Sequence, residues 1–400
     1  MKYRCLVLFG VLAAVVAVVS VPLSGQAPRA ADSIAASTRS WTHPRTTWGD
    51  PDLQGLWRDR APVSLERPDE FAGRAFLTDA EMAEKLKSAK ERLATRLAGK
   101  VTFAAFRNQE NYNVIFNTSA EEPQINRRTS AIIDPPNGRL PPWALEQVKL
   151  WEAREAATHG RGESESVEDV NVQARCIPHL AVATVGAWGL GTAGKATLAG
   201  PGTDALDRII SSGGAKRILQ APGYVTIVDE QGEHFIIPLD GRPRPGPKIR
   251  QWMGVPRGHW DGNTLVVEIT NIRYADSLIL PNAGFAMYPG TAETLKVTER
   301  FTRVGANNLE YRYTVEDPAV YTQPYTVLNV LDRNDDYKMV PAMCHENNRD
   351  LTGAFANARA DEQQALDNGA LSLAFRKERI ERLKKEAEEA AVKQSSQSRR

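Results

Sequence analysis

Leu295-Lys296-Val297-Thr298-Glu299-Arg300-Phe301-Thr302-Arg303 and, after a short turn, Leu309-Glu310-Tyr311-Arg312-Tyr313-Thr314-Val315-Glu316 alternate between two kinds of side chain. A period of two is that of a strand whose successive side chains point to opposite faces. In the first segment Leu295, Val297, Glu299 and Phe301 share a face, and Lys296, Thr298, Arg300 and Thr302 share the other. In the second, Leu309, Tyr311, Tyr313 and Val315 face inward, while Glu310, Arg312, Thr314 and Glu316 face outward. The charged and Thr faces are plainly wet, so Glu299 points inward with the apolar set. An enclosed carboxylate costs several kcal/mol unless it is paired or hydrogen-bonded. Glu299 is therefore either neutralised, by Arg303 or a Tyr hydroxyl, or kept for a ligand or acid–base role.

Working outward, the same period predicts strands at 217–221, 224–230, 233–239, 257–260, 264–271, 293–303, 308–316, 323–332 and 337–344. Gln231-Gly232, Asp261-Gly262-Asn263, Gly305 to Asn308 and Asn334-Asp335-Asp336 supply the turns. Short loops between successive strands imply an antiparallel meander, and eight or nine strands close most economically into a barrel, which removes exposed edges. Tyr325, Val327, Asn329 and Leu331 form one face of the strand at 323–332. Glu268 shares its face with Thr270 and reads as solvated, opposite Leu265, Val267 and Ile269. His234 alternates with Ile236 as an ordinary half-buried histidine, and His259 sits at an exposed turn. Trp57 and Trp260 read as barrel-end plugs.

Ahead of the meander, Thr78 and Glu81 form a capping box for a helix that Gly99 ends. Pro141 and Pro142 open a second helix, carrying Trp143, Leu145, Val148, Leu150 and Trp151, which stops near Gly160. The chain thus divides into a leader at 1–25, a tether at 26–50, a first strand with helical and loop insertions at 51–216, the meander at 217–357 and a helical tail at 358–400. Glu378/Arg382 and Glu381/Lys385 in the tail are spaced for i,i+4 pairs on a solvated helix.

Residues 1–25 have the form of an export signal: Lys2 and Arg4, then a run of about 17 apolar residues from Cys5 to Val21, then Pro22, Ser24 and Gly25. Export to the periplasm or beyond is expected. No clean small-x-small cleavage site follows, so membrane attachment through an uncleaved leader stays open. Lys+Arg 50 against Asp+Glu 49 gives a nucleic-acid partner no electrostatic support.

Two cysteines remain beyond the leader, in Arg175-Cys176-Ile177-Pro178-His179 and Cys344-His345-Glu346. In an exported chain a lone pair is most simply one disulfide. It would gather His179, His345, Glu346 and Arg175. A four-ligand zinc site is the alternative, but adjacent Cys344 and His345 would strain to hold one ion, so no metal is expected. There is no Gly-x-Ser-x-Gly, no His-Glu-x-x-His and no dinucleotide fingerprint after a strand, and the Gly-rich run 186–202 reads as a loop. What remains is cofactor-free acid–base work by His and Glu in a Tyr-lined apolar cavity, or plain carriage of an apolar ligand. His345, Glu346 and Glu299 are the candidates for proton transfer. Tyr311, Tyr313 and Asn329 are candidates to line the ligand, with Arg250 and Arg242 as partners for an anion or phenolate.

Several strings together resemble a large family of exported, mostly uncharacterised bacterial proteins, frequent in soil bacteria and sphingomonads. They are Pro51-Asp52-Leu53-Gln54-Gly55-Leu56-Trp57, Asp134-Pro135-Pro136-Asn137-Gly138-Arg139-Leu140-Pro141, Pro238-Leu239-Asp240-Gly241-Arg242-Pro243, Arg250-Gln251-Trp252-Met253-Gly254 and Cys344-His345-Glu346-Asn347-Asn348. The resemblance spans about residues 50–362 and implies export, a β-rich fold and the cysteine pair. Through relatives in aromatic-degrading bacteria it implies lyase action on lignin-derived aromatic dimers. Asn347 replaces a glycine of the family pattern, and His179 is not usual at its position, which favours His345 and Glu346 over His179. Gly55-Leu56-Trp57 also looks like the first strand of a lipocalin, although a long helical insertion follows. The expected fold is mainly β: an antiparallel meander closing as a lipocalin-like barrel, with helical insertions and a C-terminal helix. The expected function is a cofactor-independent lyase or isomerase on a hydrophobic, aromatic small molecule; the alternative is a non-catalytic carrier.

Overall fold

Period-two segments hold as strands where neighbouring strands can bury their apolar faces together. The computed structural model describes residues 41–58, 61, 63–98, 124–157, 215–228, 234–273 and 292–339, with 356, 381–382, 384–393 and 396. The leader, Cys176, His179, Cys344, His345 and Glu346 lie outside these residues. The strands are β1 (Gly55–Arg58), β2 (Ile132–Asp134), β3 (Lys216–Ala221), β4 (Tyr224–Val228), β5 (His234–Pro238), β6 (Val255–Asp261), β7 (Thr264–Thr270), β8 (Lys296–Arg303), β9 (Asn308–Glu316) and β10 (Tyr325–Arg333). Helices α1 (Asp79–Ala98) and α2 (Leu145–Ala157) precede the main run, and helical residues return in the tail between 381 and 393. Among the described residues no helix is long and apolar enough to cross a membrane.

Every strand pairing is antiparallel, and the order across the sheet is β5-β4-β3-β1-β10-β9-β8-β7-β6. The nine strands nearly close into an up-and-down barrel, as alternation in the sequence predicts. Two details differ from that expectation. β1 takes a place in the order between β3 and β10, whereas of the expected strand at 337–344 Tyr337–Met339 are not in a strand and 340–344 lie outside the described residues. β1 joins the two halves: Leu56 pairs with Arg217 of β3, and Trp57 pairs with both Lys216 of β3 and Arg333 of β10. The remaining edge of β10 is covered by β2, through Ile132 opposite Val327. Three residues carry too little alternation for β2 to be legible.

The seam lies elsewhere than at the first and last strands. β5 and β6 end the order, and no ladder joins them. Their side chains meet at Gly258 of β6, where a Cβ would stand 2.6 Å from both Ile237 Cγ2 and Leu239 Cδ2. The missing side chain lets β5 lean onto β6 without pairing.

Outside the barrel the surface is polar. Thr264 and Thr302 share a hydrogen bond of 2.7 Å, Thr314 and Thr326 one of 2.9 Å, and Arg300 pairs with Asp261 at 2.7 Å. An exposed ion pair such as Arg300–Asp261 contributes little to stability, roughly 0–1 kcal/mol. Inside, Leu265, Val267, Ile269, Val297, Phe301, Leu309, Val315 and Val327 are enclosed and form one core.

The two ends are closed differently. At the β8–β9 turn the fully buried Trp57 indole donates to Leu53 O at 2.9 Å, and the Arg303 and Arg333 guanidiniums stand 5.7 and 6.0 Å from its ring. Arg303 spends its donors on the carbonyls of Asp52, Gly305 and Ala306. At the β9–β10 turn, Trp143 bridges to Tyr321, whose ring meets Tyr325 edge-on at 5.3 Å. Trp143 was expected inside the second helix. It lies ahead of it, because Ala144 N–H donates to Val320 O and the helix begins only at Leu145.

The capping box at α1 forms as read: Glu81 N–H donates to Thr78 Oγ1 at 3.2 Å and Thr78 N–H to Glu81 Oε2 at 2.8 Å. The tail helix is less solvated than its sequence reads. Ala387 is buried in the core, and Lys384 reaches Glu152 of α2 at 3.4 Å.

Gly258→Val is expected to overfill the seam and cost about 1–3 kcal/mol, as insertion into a packed interior does. Urea unfolding checks this, and Ile237→Ala in the same chain should recover part of the loss. Unchanged stability in Gly258→Val would mean that β5 does not lean on β6.

Candidate functional site

The register sets the inner face out in rows. Trp260, Leu265, Phe301, Tyr311 and Asn329 are successive partners from β6 to β10. The next row is Gly258, Val267, Glu299, Tyr313 and Val327, and the one beyond it Pro256, Ile269, Val297, Val315 and Tyr325. Alternation on each strand thus places Glu299 in the middle row, away from both closed ends.

Glu299 is 1% exposed. The Tyr311 hydroxyl donates to its Oε1 at 2.7 Å, while its Oε2 is enclosed and receives no hydrogen bond from the described residues. Burial raises the carboxyl to about 7; the Tyr311 hydrogen bond and the positive charge of Lys216 oppose that rise. At neutral pH this group can therefore give or take a proton. Tyr313 stands opposite Glu299, and burial, then Glu299 and Tyr321, push its phenol well above the ordinary range. Burial does the same to Tyr325. Both phenols stay protonated near neutrality. Phe301 and Tyr311 stack with centroids 4.7 Å apart and planes 18° apart, and Tyr313 tilts against Tyr311 at 5.7 Å.

Of the residues picked from the sequence, Glu299, Tyr311, Tyr313 and Asn329 come together on the inner faces of β8, β9 and β10. Of the two structural partners considered for Glu299, the Tyr hydroxyl is the one found; Arg303 is held at the barrel end. Arg242 and Arg250 are not brought to this interior. Arg242 is exposed after β5, bonded to Asp240 and to the Tyr224 hydroxyl. Arg250 pairs with Glu293 at 3.2 Å. His345 and Glu346, and the Cys176–Cys344 bond, lie outside the described residues. Glu268 is half-exposed as expected: burial would raise its carboxyl, but hydrogen bonds from Arg244 and Lys296 outweigh it and hold it low. His234 and Ile236 are exposed, not half-buried, because the apolar face of β5 carries Phe235 and Ile237. His259 is exposed, as its turn implied.

Two interior residues escaped the sequence reading. Lys216 is 6% exposed on β3, on the face of Ile218, and its charge acts on Glu299. Starting the strand at 217 hid it; alternation back from Ile218 places it inside. Trp260 was read only as a plug, yet its Nε1 is an enclosed donor with no acceptor among the described residues. Asn329 Oδ1 is likewise enclosed and unpaired. Among the described residues no three His, Cys, Asp or Glu side chains converge as a metal would need.

The sign of the pH effect follows from Glu299. Its proton is held more tightly folded, at about 7, than at the ordinary 4.5. The fold therefore loses stability as pH rises from about 4.5 to about 7, by at most about 3 kcal/mol at roughly 1.4 kcal/mol per tenfold difference. Urea unfolding at pH 5 and pH 8 should show this loss in the wild type and less of it in Glu299→Gln. The difference isolates Glu299 from Glu66, whose carboxyl burial also raises. Tyr311→Phe removes an opposing hydrogen bond and should move the midpoint upward. Equal slopes in wild type and Glu299→Gln would show that Glu299 ionises as freely as in water. Comparison of the chain with family models, with curated proteins and with solved structures finds no match.

Proposed function

We propose that this protein is an exported, cofactor-independent acid–base catalyst, a lyase or isomerase, on a hydrophobic aromatic small molecule. Glu299 is the proton-transfer group in this reading. One observation carries it: Glu299 Oε2 is enclosed, unpartnered among the described residues and attached to a carboxyl poised near 7. A carboxylate that served only the fold would be expected to have both oxygens occupied. The apolar and aromatic walls favour an apolar substrate.

The chemistry follows from this geometry. As carboxylate, Glu299 Oε2 takes a proton from a carbon beside a carbonyl or a comparable activating group. The C–H electron pair moves into the substrate, forming an enolate. Tyr311 keeps its hydrogen bond on Oε1 throughout, and the Lys216 charge favours the anionic partner in either state. Return of the proton to the far carbon of a conjugated enolate completes an isomerisation; departure of a β-substituent with the electron pair completes an elimination. General base catalysis of this kind contributes about 10²–10⁴-fold. His345 with Glu346 is the competing proton-transfer pair from the sequence, and the leader is the basis for placing the protein in the periplasm or outside the cell.

The purified protein is expected to exchange the acidic C–H of aryl ketones with solvent deuterium, followed by NMR. Glu299→Gln should slow that exchange by about 10²–10⁴-fold, far more than it weakens ligand binding. Exchange that survives Glu299→Gln but is lost in His345→Ala would move the base to His345. Binding without exchange for any compound would make the protein a carrier.

A further inference from the structure

Three enclosed polar atoms on the barrel strands β6, β8 and β10 have no hydrogen-bond partner among the described residues: Trp260 Nε1, Glu299 Oε2 and Asn329 Oδ1. All three belong to inner-face residues. Glu299 and Asn329 are 1% and 5% exposed on β8 and β10. Trp260 shares the face of Gly258, whose Cβ position looks at Leu265 Cδ1 from 3.6 Å, and it packs on the core. Asn329 and Trp260 end one row of partners, with the stacked Phe301 and Tyr311 rings between them, and Glu299 leans onto that row through its bond from Tyr311.

Buried polar atoms are almost always hydrogen-bonded. Here the missing partners form a pattern. Two atoms are acceptors wanting a donor, Oε2 when Glu299 is ionised and Oδ1 of Asn329. One is a donor wanting an acceptor, since an indole N–H can only donate. The Phe301–Tyr311 pair between them presents the kind of aromatic surface on which another ring stacks. We infer that the ligand is a hydroxylated aromatic: its hydroxyl donates to Asn329 Oδ1 or Glu299 Oε2, and a second oxygen, ether or carbonyl, accepts from Trp260 Nε1. This rests on the barrel interior being the ligand site proposed above and adds what the ligand must carry. An apolar hydrocarbon of the same size would leave all three atoms unpaired, a strong basis for discrimination.

Matched pairs test it by titration calorimetry on the whole protein at pH 8: 4-methylphenol against 4-methylanisole, and 2-methoxyphenol against 1,2-dimethoxybenzene. Each phenol should bind at least tenfold more tightly than its methyl ether. Asn329→Leu should narrow that ratio to within about threefold, and Trp260→Phe should remove the advantage of 2-methoxyphenol over 4-methylphenol. The wild-type pairs decide the matter even if a variant fails to fold. Equal affinities for phenol and ether would mean that water serves these atoms, and would overturn the ligand class while leaving proton transfer by Glu299 standing. Failure of every aromatic to bind at millimolar concentration would overturn both.

Discussion

The barrel depends on β1, four residues that hold two halves of a sheet together, and β1 depends on the Trp57 indole. Trp57 is wholly enclosed, its N–H satisfied by Leu53 O and its ring faced by Arg303 and Arg333. Around it the backbone is tied from both sides. Gln220 of β3 accepts from Leu53 N–H and donates to Pro51 O, and Asp335 beyond β10 accepts from Leu56 N–H. At Gly55 φ is +145°, and a Cβ would stand 3.2 Å from Arg333 Nε, so the residue before this pair has to be small and conformationally free. A strand this short has few ladder bonds of its own. Its place is set by side chains that reach it from 167 and 279 residues away in the chain.

With one end closed on Trp57 and the other on Trp143, Tyr321 and Tyr325, the side chains between are shielded from bulk solvent, and polar interactions among them are strengthened. This is why Glu299 differs from Glu268 one strand away. Both point from adjacent antiparallel strands, but Glu268 has Arg244, Lys296 and the solvent around it, whereas Glu299 has one phenol and the charge of Lys216. The first is held ionised and the second near neutrality. Glu299 Oε2, Asn329 Oδ1 and Trp260 Nε1 are enclosed without a partner among the described residues, which works against stability. The ligand site proposed above would give these atoms their partners.

Much of this was legible in the residues. The faces of β7, β8, β9 and β10 follow from alternation alone, and with them the inward Glu299, Tyr311, Tyr313 and Asn329. The Thr78–Glu81 cap is equally local, since both partners lie within one turn. What failed to show has a common cause. Lys216 sits at a strand start, where the period has only just begun. β2 is too short to have a period. Trp143 looks helical because prolines precede it, yet a hydrogen bond from Ala144 to Val320 holds that stretch against the β9–β10 turn. Arg242 and Arg250 stand in a Pro-rich connection without any period, so nothing in their neighbours says whether they face the interior.

By itself the amino-acid sequence determined where most of the longer strands run, which side chains of β7 to β10 are enclosed, and that one of these is a carboxylate. Those properties depend on residues two or four positions apart, and the chain carries them wherever it goes. Only the tertiary structure decided which strand lies beside which, that β1 sits between β3 and β10, that the seam falls between β5 and β6 at Gly258, and that a tyrosine and not Arg303 answers Glu299. Those outcomes are contacts between groups far apart in sequence, and each was chosen by which partner could fill the space and satisfy the hydrogen bonds left by the others.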